Sequence, residues 1–525
     1  MRTPKNPCSN SRGTDTQPDM NSQTSDFPLR LGPPETALLL LDALRHAGFD
    51  AATLCRGLKI PNLSSLGRVR WKEVSFTALP EPLHRAANLF LFGECAPRAD
   101  LERLLGAAVV EAFLSTGLLR PSQSEPGALV SPIFLYPVAG FIVASDRHDD
   151  PDGPPGQSRD AQPDVVFPAI FGGTLRFLEL LPPTAHGEAL DLCGGSGIGA
   201  MLLGRTARAA VTADITERST RFAAFNAWLN GCATVESLCG DLYAPVAGRQ
   251  FDCITAHPPY VPSLGSTMIY RDAGDTGEEI TRNIVAGLPA HLRPGGFALV
   301  VGQSRDTNDS PYEQRVRAWL GEAQHEFDVI FALQDTKSPE EEVKGMAGRL
   351  QEPTREQLAE LLARFRRLGT KQFVYGALFL RRRAAVAAPW TARLELSAET
   401  LGPDFLRALQ WHDRRGQDGF AAWLPGAKLR MSPHLEIRVR HIVRDDTLLP
   451  AEFIFETDRP FAAAMRFDGW VAPLLARFSG GRTPAEVHAD ARRDEAMPAD
   501  FHLPDFANLV ALLVEKGFLV LTENG

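Results

Sequence analysis

Phe251-Asp252-Cys253-Ile254-Thr255-Ala256-His257-Pro258-Pro259-Tyr260 is an apolar run that ends in a proline pair and an aromatic ring. It reads as a buried strand running into a stiff loop, since each Pro restricts its own φ and the residue before it. Upstream stands a second junction, Asp191-Leu192-Cys193-Gly194-Gly195-Ser196-Gly197-Ile198-Gly199. A Gly-rich turn lets the backbone approach a ligand that a Cβ would hold off. Around these two stretches strands and helices alternate. Strands are expected at 189–192, 210–213, 235–238, 251–256, 297–301, 327–333 and 373–380. Helices are expected at 198–205, 217–230, 277–292, 311–324 and 355–368. Repeated β-then-α predicts an α/β fold, a doubly wound parallel sheet covered on both faces. Ligands of such sheets bind beyond the C-terminal strand ends, where both quoted junctions fall.

Two more residues fall at strand ends. Asp214 closes the second strand, where a carboxylate accepts both ribose hydroxyls of a nucleoside, a device that dinucleotide-binding folds share. Asp241 follows the third strand in Gly240-Asp241-Leu242. Taken in order, these motifs resemble the class I S-adenosylmethionine (SAM) methyltransferases with an Asn-Pro-Pro-Tyr loop. Within that class they look like the release-factor glutamine methyltransferases and related "methyltransferase small" enzymes, over roughly residues 165–383. The resemblance implies a Rossmann-like core with SAM as cofactor. It implies that Asp191, Cys193, Gly195 and Gly197 line the methionine part of SAM, with Cys193 standing where the family has its first Gly. Asp214 would hold the ribose and Asp241 the adenine amino group. The stretch 165–174 would cover the cofactor.

By the same resemblance His257, Pro258, Pro259 and Tyr260 are the catalytic loop, with His257 in place of the family's Asn. In such a loop the Asn oxygen and a backbone carbonyl accept the two N–H bonds of a planar amide or base, turning its lone pair toward the methyl group. The Tyr260 ring would pack on that planar group. Arg271, in Tyr270-Arg271-Asp272-Ala273-Gly274-Asp275-Thr276-Gly277, is a second substrate contact. His257 does part of the Asn's work, since neutral imidazole has one acceptor nitrogen. Its unperturbed pKa of ~6.5 also suits a general base near neutrality. Three readings follow: a modified planar-nitrogen site, a nucleophile that must lose a proton, or a silent site.

The chain of 525 residues leaves room for several domains at ~100–200 residues each. Residues 1–26 are polar and expected to be disordered. Residues 27–145 read as helices followed by a hairpin (128–130 and 134–136, then 140–143), a helical, winged-helix-like domain. Residues 146–164 read as a linker, and 165–383 as the methyltransferase domain. Residues 384–525 read as a C-terminal α+β accessory domain with a winged-helix-like end. Seven cysteines without a Cys-x-x-Cys spacing point to a reducing cytoplasm and to no zinc or disulfide framework. No metal-ligand spacing is present, and no apolar stretch approaches the ~18 residues of a membrane span. A net charge of −9 gives no global pull toward nucleic acid. Local basic clusters at Arg364, Arg366, Arg367, at Arg381–Arg383 and at Arg438, Arg440, Arg444 read as solvated surface, with a groove for RNA or an acidic carrier domain as the sharper alternative. The leading expectation is a cytoplasmic SAM-dependent methyltransferase acting on a nitrogen of a protein side chain or small molecule. RNA base N-methylation and a catalytically silent SAM-binding scaffold are the alternatives.

Overall fold

A computed structural model describes residues 27–67, 79–152, 163–183, 187–262, 269, 273–347, 354–385 and 388–522. The expected tail 1–26 and Arg271 lie outside the described residues. Two compact units are present: residues 1–329, 337–373 and 380–390 form the first, and 330–336, 374–379 and 391–525 the second.

In the first unit, strands and helices are numbered from the start of the central domain. Strand β1 (Glu188–Leu192) leads to α1 (Ile198–Leu203), and β2 (Ala209–Asp214) to α2 (Glu217–Leu229). Then come β3 (Val235–Cys239), β4 (Phe251–Ala256), α3 (Glu279–His291) and β5 (Leu292–Thr307). Helix α4 (Tyr312–Trp319) follows, then β6 (Phe327–Lys337) and β7 (Thr370–Arg382), whose middle residues 330–336 and 374–379 are counted with the second unit. These strands stand in the order β6-β7-β5-β4-β1-β2-β3 in an eight-stranded sheet whose edge beyond β6 is Thr391–Glu395. Pairs β1–β2, β1–β4, β2–β3 and β4–β5 are parallel. Since β1 lies between β2 and β4, the winding reverses beside it, and the crevice at that reversal is where such sheets take ligands. Strands β1, β2 and β4 are mostly apolar or small and mostly buried, as in a sheet covered on both faces, with Asp191, Thr212 and Thr255 as buried polar exceptions.

Register decides what emerges from the sheet. Leu192 pairs with both Ala213 and Ala256, so the three central strands end level. The next residues, Cys193, Asp214 and His257, therefore leave the sheet side by side. Helix α2 begins at Thr216, whose side chain accepts from Ser219 N at 3.0 Å.

The N-terminal residues form helices Pro34–His46, Ala51–Leu58, Glu81–Ala87, Arg98–Leu105 and Ala107–Ser115. The expected hairpin is divided between two sheets. Ala128–Val130 pairs with Ala96–Pro97 and Arg120–Pro121. The hairpin itself is Phe134–Val138 against Phe141–Ser145. Ala139 and Gly140, at φ 50° and 78°, make the two-residue turn whose twist suits a hairpin, while Pro132 separates 128–130 from it. Nor is 146–152 a solvated linker. Arg147 is buried and donates to the carbonyl of Phe90 at 2.6 Å, and Asp152 accepts from Ser122 Oγ at 2.7 Å and Gln123 N at 2.8 Å. Between β6 and β7 lie helices Pro339–Ala347, which the sequence reading omitted, and Arg355–Arg367, capped by Thr354 and Gln357.

The second unit holds helix Gly402–Arg415, also omitted, and an antiparallel sheet of Glu436–Arg444, Thr447–Thr457 and Ala463–Phe467. Helices Val471–Ala476, Pro484–Arg493 and Leu503–Glu515 follow. The closing strand Leu519–Leu521 pairs with Leu429–Met431. Phe455, Phe478, Val487, Phe506 and Phe518 are among the buried residues of its core.

Candidate active site

The Gly-rich turn after β1 is shaped by its fixed neighbours. Cys193, Gly195 and Gly197 all lie at positive φ, 55°, 53° and 78°. Only glycine takes that region without strain, so Cys193 holds a conformation that L side chains rarely adopt. The turn wraps over the buried Asp191 carboxyl, which accepts from Thr255 Oγ1 at 2.9 Å and from the backbone of Ala200. A Cβ at Gly199 would stand 2.4 Å from Asp191 Oδ2, and one at Gly194 would stand 1.9 Å from Thr212 Oγ1. Burial pushes the Asp191 pKa up to about 7, and it raises the Cys193 thiol well above its ordinary value. Asp214 accepts from Gly195 N at 3.0 Å and Thr216 N at 3.1 Å, and burial raises its pKa too.

The loop after β4 faces this turn. The His257 ring stacks on Phe177, with centroids 5.5 Å apart and planes at 21°, and lies 6.2 Å from the Tyr260 ring. Its Nε2 is buried without a hydrogen-bond partner among the described residues. Burial lowers the ring's pKa to about 4. Burial thus favours the neutral ring, with its one acceptor nitrogen, over the base titrating near neutrality that the sequence left open. Two glycines seat Tyr260. A Cβ on Gly302 would come 3.1 Å from Tyr260 Cδ1, and one on Gly277 would come 2.6 Å from the Tyr260 carbonyl oxygen.

Both junctions open on one cavity of about 800 Å³. Asp191, Cys193, Gly195, Asp214, Asp241, His257, Pro258, Pro259 and Tyr260 all line it. Gly197 does not: a Cβ there would stand 2.8 Å from Ala223 Cβ, so this glycine serves the close approach of α2 to the turn. Phe167, Phe171 and Phe177 form an apolar wall. Thr212, Thr255, Phe177, Gly277 and Gly302 escaped the sequence reading. Thr255, inside the quoted apolar run, was the one with a visible signal, a polar residue interrupting a buried strand. Among the described residues no group of His, Cys, Asp or Glu is placed to hold a metal ion.

Carboxylates meet the basic clusters. Arg381 and Arg383 bond Asp328, Arg382 bonds Glu326, Arg366 bonds Glu340 and Arg367 bonds Glu360. Arg438 pairs with Glu456 and Arg440 with Glu452.

Residues 169–327 match the methyltransferase small domain family. The chain is 32% identical over 176 residues to a ribosomal protein uL3 glutamine methyltransferase of Bradyrhizobium diazoefficiens, covering 31% of this chain and 55% of that one. It is 33% identical over 157 residues to a release factor glutamine methyltransferase of Koribacter versatilis, covering 27% and 55%. The chain thus spans about half the length of these curated relatives. A solved ribosomal protein L11 methylase from Lactobacillus delbrueckii subsp. bulgaricus is 19% identical over 40% of this chain and 76% of its own, with a TM-score of 0.23. With the sheet order and the two junctions at one cavity, the match over 169–327 makes the central domain similar to the methyltransferase small domain family.

Proposed function

We propose that this protein transfers a methyl group from SAM to a nitrogen of a protein side chain. One observation carries the reading: a single cavity is lined by the Asp191, Asp214 and Asp241 side and by the His257–Tyr260 loop. The residues suit the cofactor. At Gly194 and Gly199 the turn lies so close to Thr212 and Asp191 that a Cβ would clash, leaving backbone at the cavity wall. Asp214 would hold the ribose hydroxyls and Asp241 the adenine amino group. When bound, SAM supplies a methyl group on a sulfonium, open to in-line attack by a lone pair. His257 and the backbone carbonyls beside the Pro pair would accept N–H bonds from the acceptor and aim that lone pair, and Tyr260 would pack on its planar group. Such positioning supplies up to ~7–11 kcal/mol of a barrier when alignment is ideal. A protein acceptor is supported by the relatives, named as glutamine methyltransferases of uL3 and release factors. The paired arginines weigh against an RNA acceptor.

Calorimetry with SAM and S-adenosylhomocysteine (SAH), joined to radiolabelled methyl transfer into protein and RNA fractions of a deletion strain, tests this. SAH binding with label in protein is expected. Asp214→Ala should weaken SAH binding first, whereas His257→Ala should slow transfer at nearly unchanged SAH affinity. A folded protein that ignores millimolar SAH ends the proposal. Label in RNA alone replaces the acceptor, and turnover appearing only in His257→Asn makes the native protein a silent scaffold.

A further inference from the structure

The N-terminal hairpin Phe134–Ser145 reaches both walls of the cavity through side chains that no motif singles out. Tyr136 is fully buried, and its phenol oxygen accepts from Ala169 N at 2.7 Å. The side chains of Ser145 and Ser196 lie beside the same phenol. Ala169 and Ser196 belong to two different segments of the cavity lining, the first to 164–171 and the second to the Gly-rich turn. Asn226, on α2 and fully buried, repeats the connection. Its Oδ1 accepts from Ala144 N at 2.7 Å, and its Nδ2 donates to the carbonyls of Ala144 and Ser196, both at 2.9 Å. One residue past the hairpin, Asp146 takes Val166 N at 2.7 Å on Oδ2, and its own N–H donates to the Val166 carbonyl at 3.2 Å. Arg218 holds that carboxylate from α2 through Nε at 2.8 Å.

Every amide group of Asn226 is used, and each bond lies where water does not compete. Buried groups of this kind tolerate one geometry, because an orphaned partner is costly. We propose that Tyr136 and Asn226 are positioning residues through which the hairpin sets the spacing between the two walls of the cofactor cavity. Tyr136 ties the 164–171 segment to the hairpin through Ala169, and Asn226 ties the turn to it by the backbone of Ser196. The hairpin is on this view a working part of the cofactor site. The cofactor clause rests on the functional reading above; the positioning of the two walls does not.

The test uses the full chain with Tyr136→Phe, Asn226→Ala and, as a control, Asn230→Ala. Asn230 sits on the same seam, accepting from Ile142 N at 2.9 Å and donating to the Ile142 carbonyl at 2.7 Å, but its side chain bonds none of the residues that line the cavity. It therefore measures what loosening the seam does by itself. Two readouts are taken: ligand-free amide exchange over 164–171 and 193–197, and SAH affinity by calorimetry. Tyr136→Phe and Asn226→Ala should speed exchange in those segments and raise the SAH Kd about three- to tenfold. Asn230→Ala should leave both near wild type even where it lowers the unfolding midpoint. Unchanged exchange in the first two variants overturns the proposal whatever SAH does, and so does an Asn230→Ala effect of equal size. A wild-type protein that binds no SAH ends the functional reading and the cofactor clause with it. Exchange then decides whether the hairpin sets the walls.

Discussion

The charge of His257 is set by what surrounds it. In water the ring titrates near 6.5; here burial lowers its pKa to about 4. Between those values an unfolded chain binds a proton that the folded one excludes, so the ring's contribution to stability is complete above pH ~6.5 and is lost as pH falls toward 4. The full span is worth at most ~3 kcal/mol. His257→Asn removes the titrating group, so wild type should lose stability faster than the variant as pH falls from about 6.5 to 4.5. Urea unfolding midpoints across that range measure it; parallel curves for the two proteins would contradict a buried neutral ring. The lining residues at the strand ends, Asp191, Cys193, Asp214, Asp241 and His257–Tyr260, were legible because strand ends and proline or glycine loops are local signals. The protonation state was not, because the stacking ring, Phe177, comes from a segment far upstream that carries no such signal.

Elements were read best where one local pattern fixes them. Strands β1, β2 and β4 show apolar runs bounded by turn residues, and their observed ends agree with the expected ones to within a residue. Partners across longer separations were misjudged: Ala128–Val130 found its neighbours at 96–97 and 120–121, outside its own local stretch. Helix Gly402–Arg415 was missed although Pro403 and Asp404 mark its first turn, because its apolar positions are sparse beside its charged ones. The turn between β1 and α1 offers a test of how tightly an element is held. In Gly199→Ala the new methyl would meet Asp191 Oδ2 at 2.4 Å and Cγ at 2.8 Å. The carboxyl has no free swing, being held by Thr255 and Ala200. Overpacking of this kind costs ~1–3 kcal/mol. Gly199→Ala should lose about that much unfolding free energy, and its SAH affinity should fall with it. Wild-type stability in that variant would show a turn far looser than the contacts indicate.

At the scale of the molecule, charge is local pairing more than field. The arginine runs look like a nucleic-acid surface only while their partners are out of sight; Asp328 and Glu326 lie in β6 and just before it, yet meet Arg381–Arg383 at the end of β7. Sequence clusters record neighbours along the chain, and ion pairs are made across it. With those pairs formed and a net charge of −9, RNA retention should be weak and insensitive to salt between about 50 and 200 mM. Filter binding over that range checks this, and a steep loss of affinity with salt would expose a basic groove. Among the described residues no helix is long and apolar enough to cross a membrane. The seam between α2 and the strand Phe141–Ser145 also has a meaning beyond this site. Asn226 and Asn230 are four residues apart on a helix, about 6.0 Å of rise, while Ala144 and Ile142 are two apart on a strand, about 6.8 Å. The two ladders are nearly commensurate, so a helix bearing amides at i and i+4 stands in for the missing neighbour of an edge strand. The mismatch of about 0.8 Å per step limits the substitution to a couple of rungs. That is enough to close a two-stranded ribbon on the side where another chain would otherwise add.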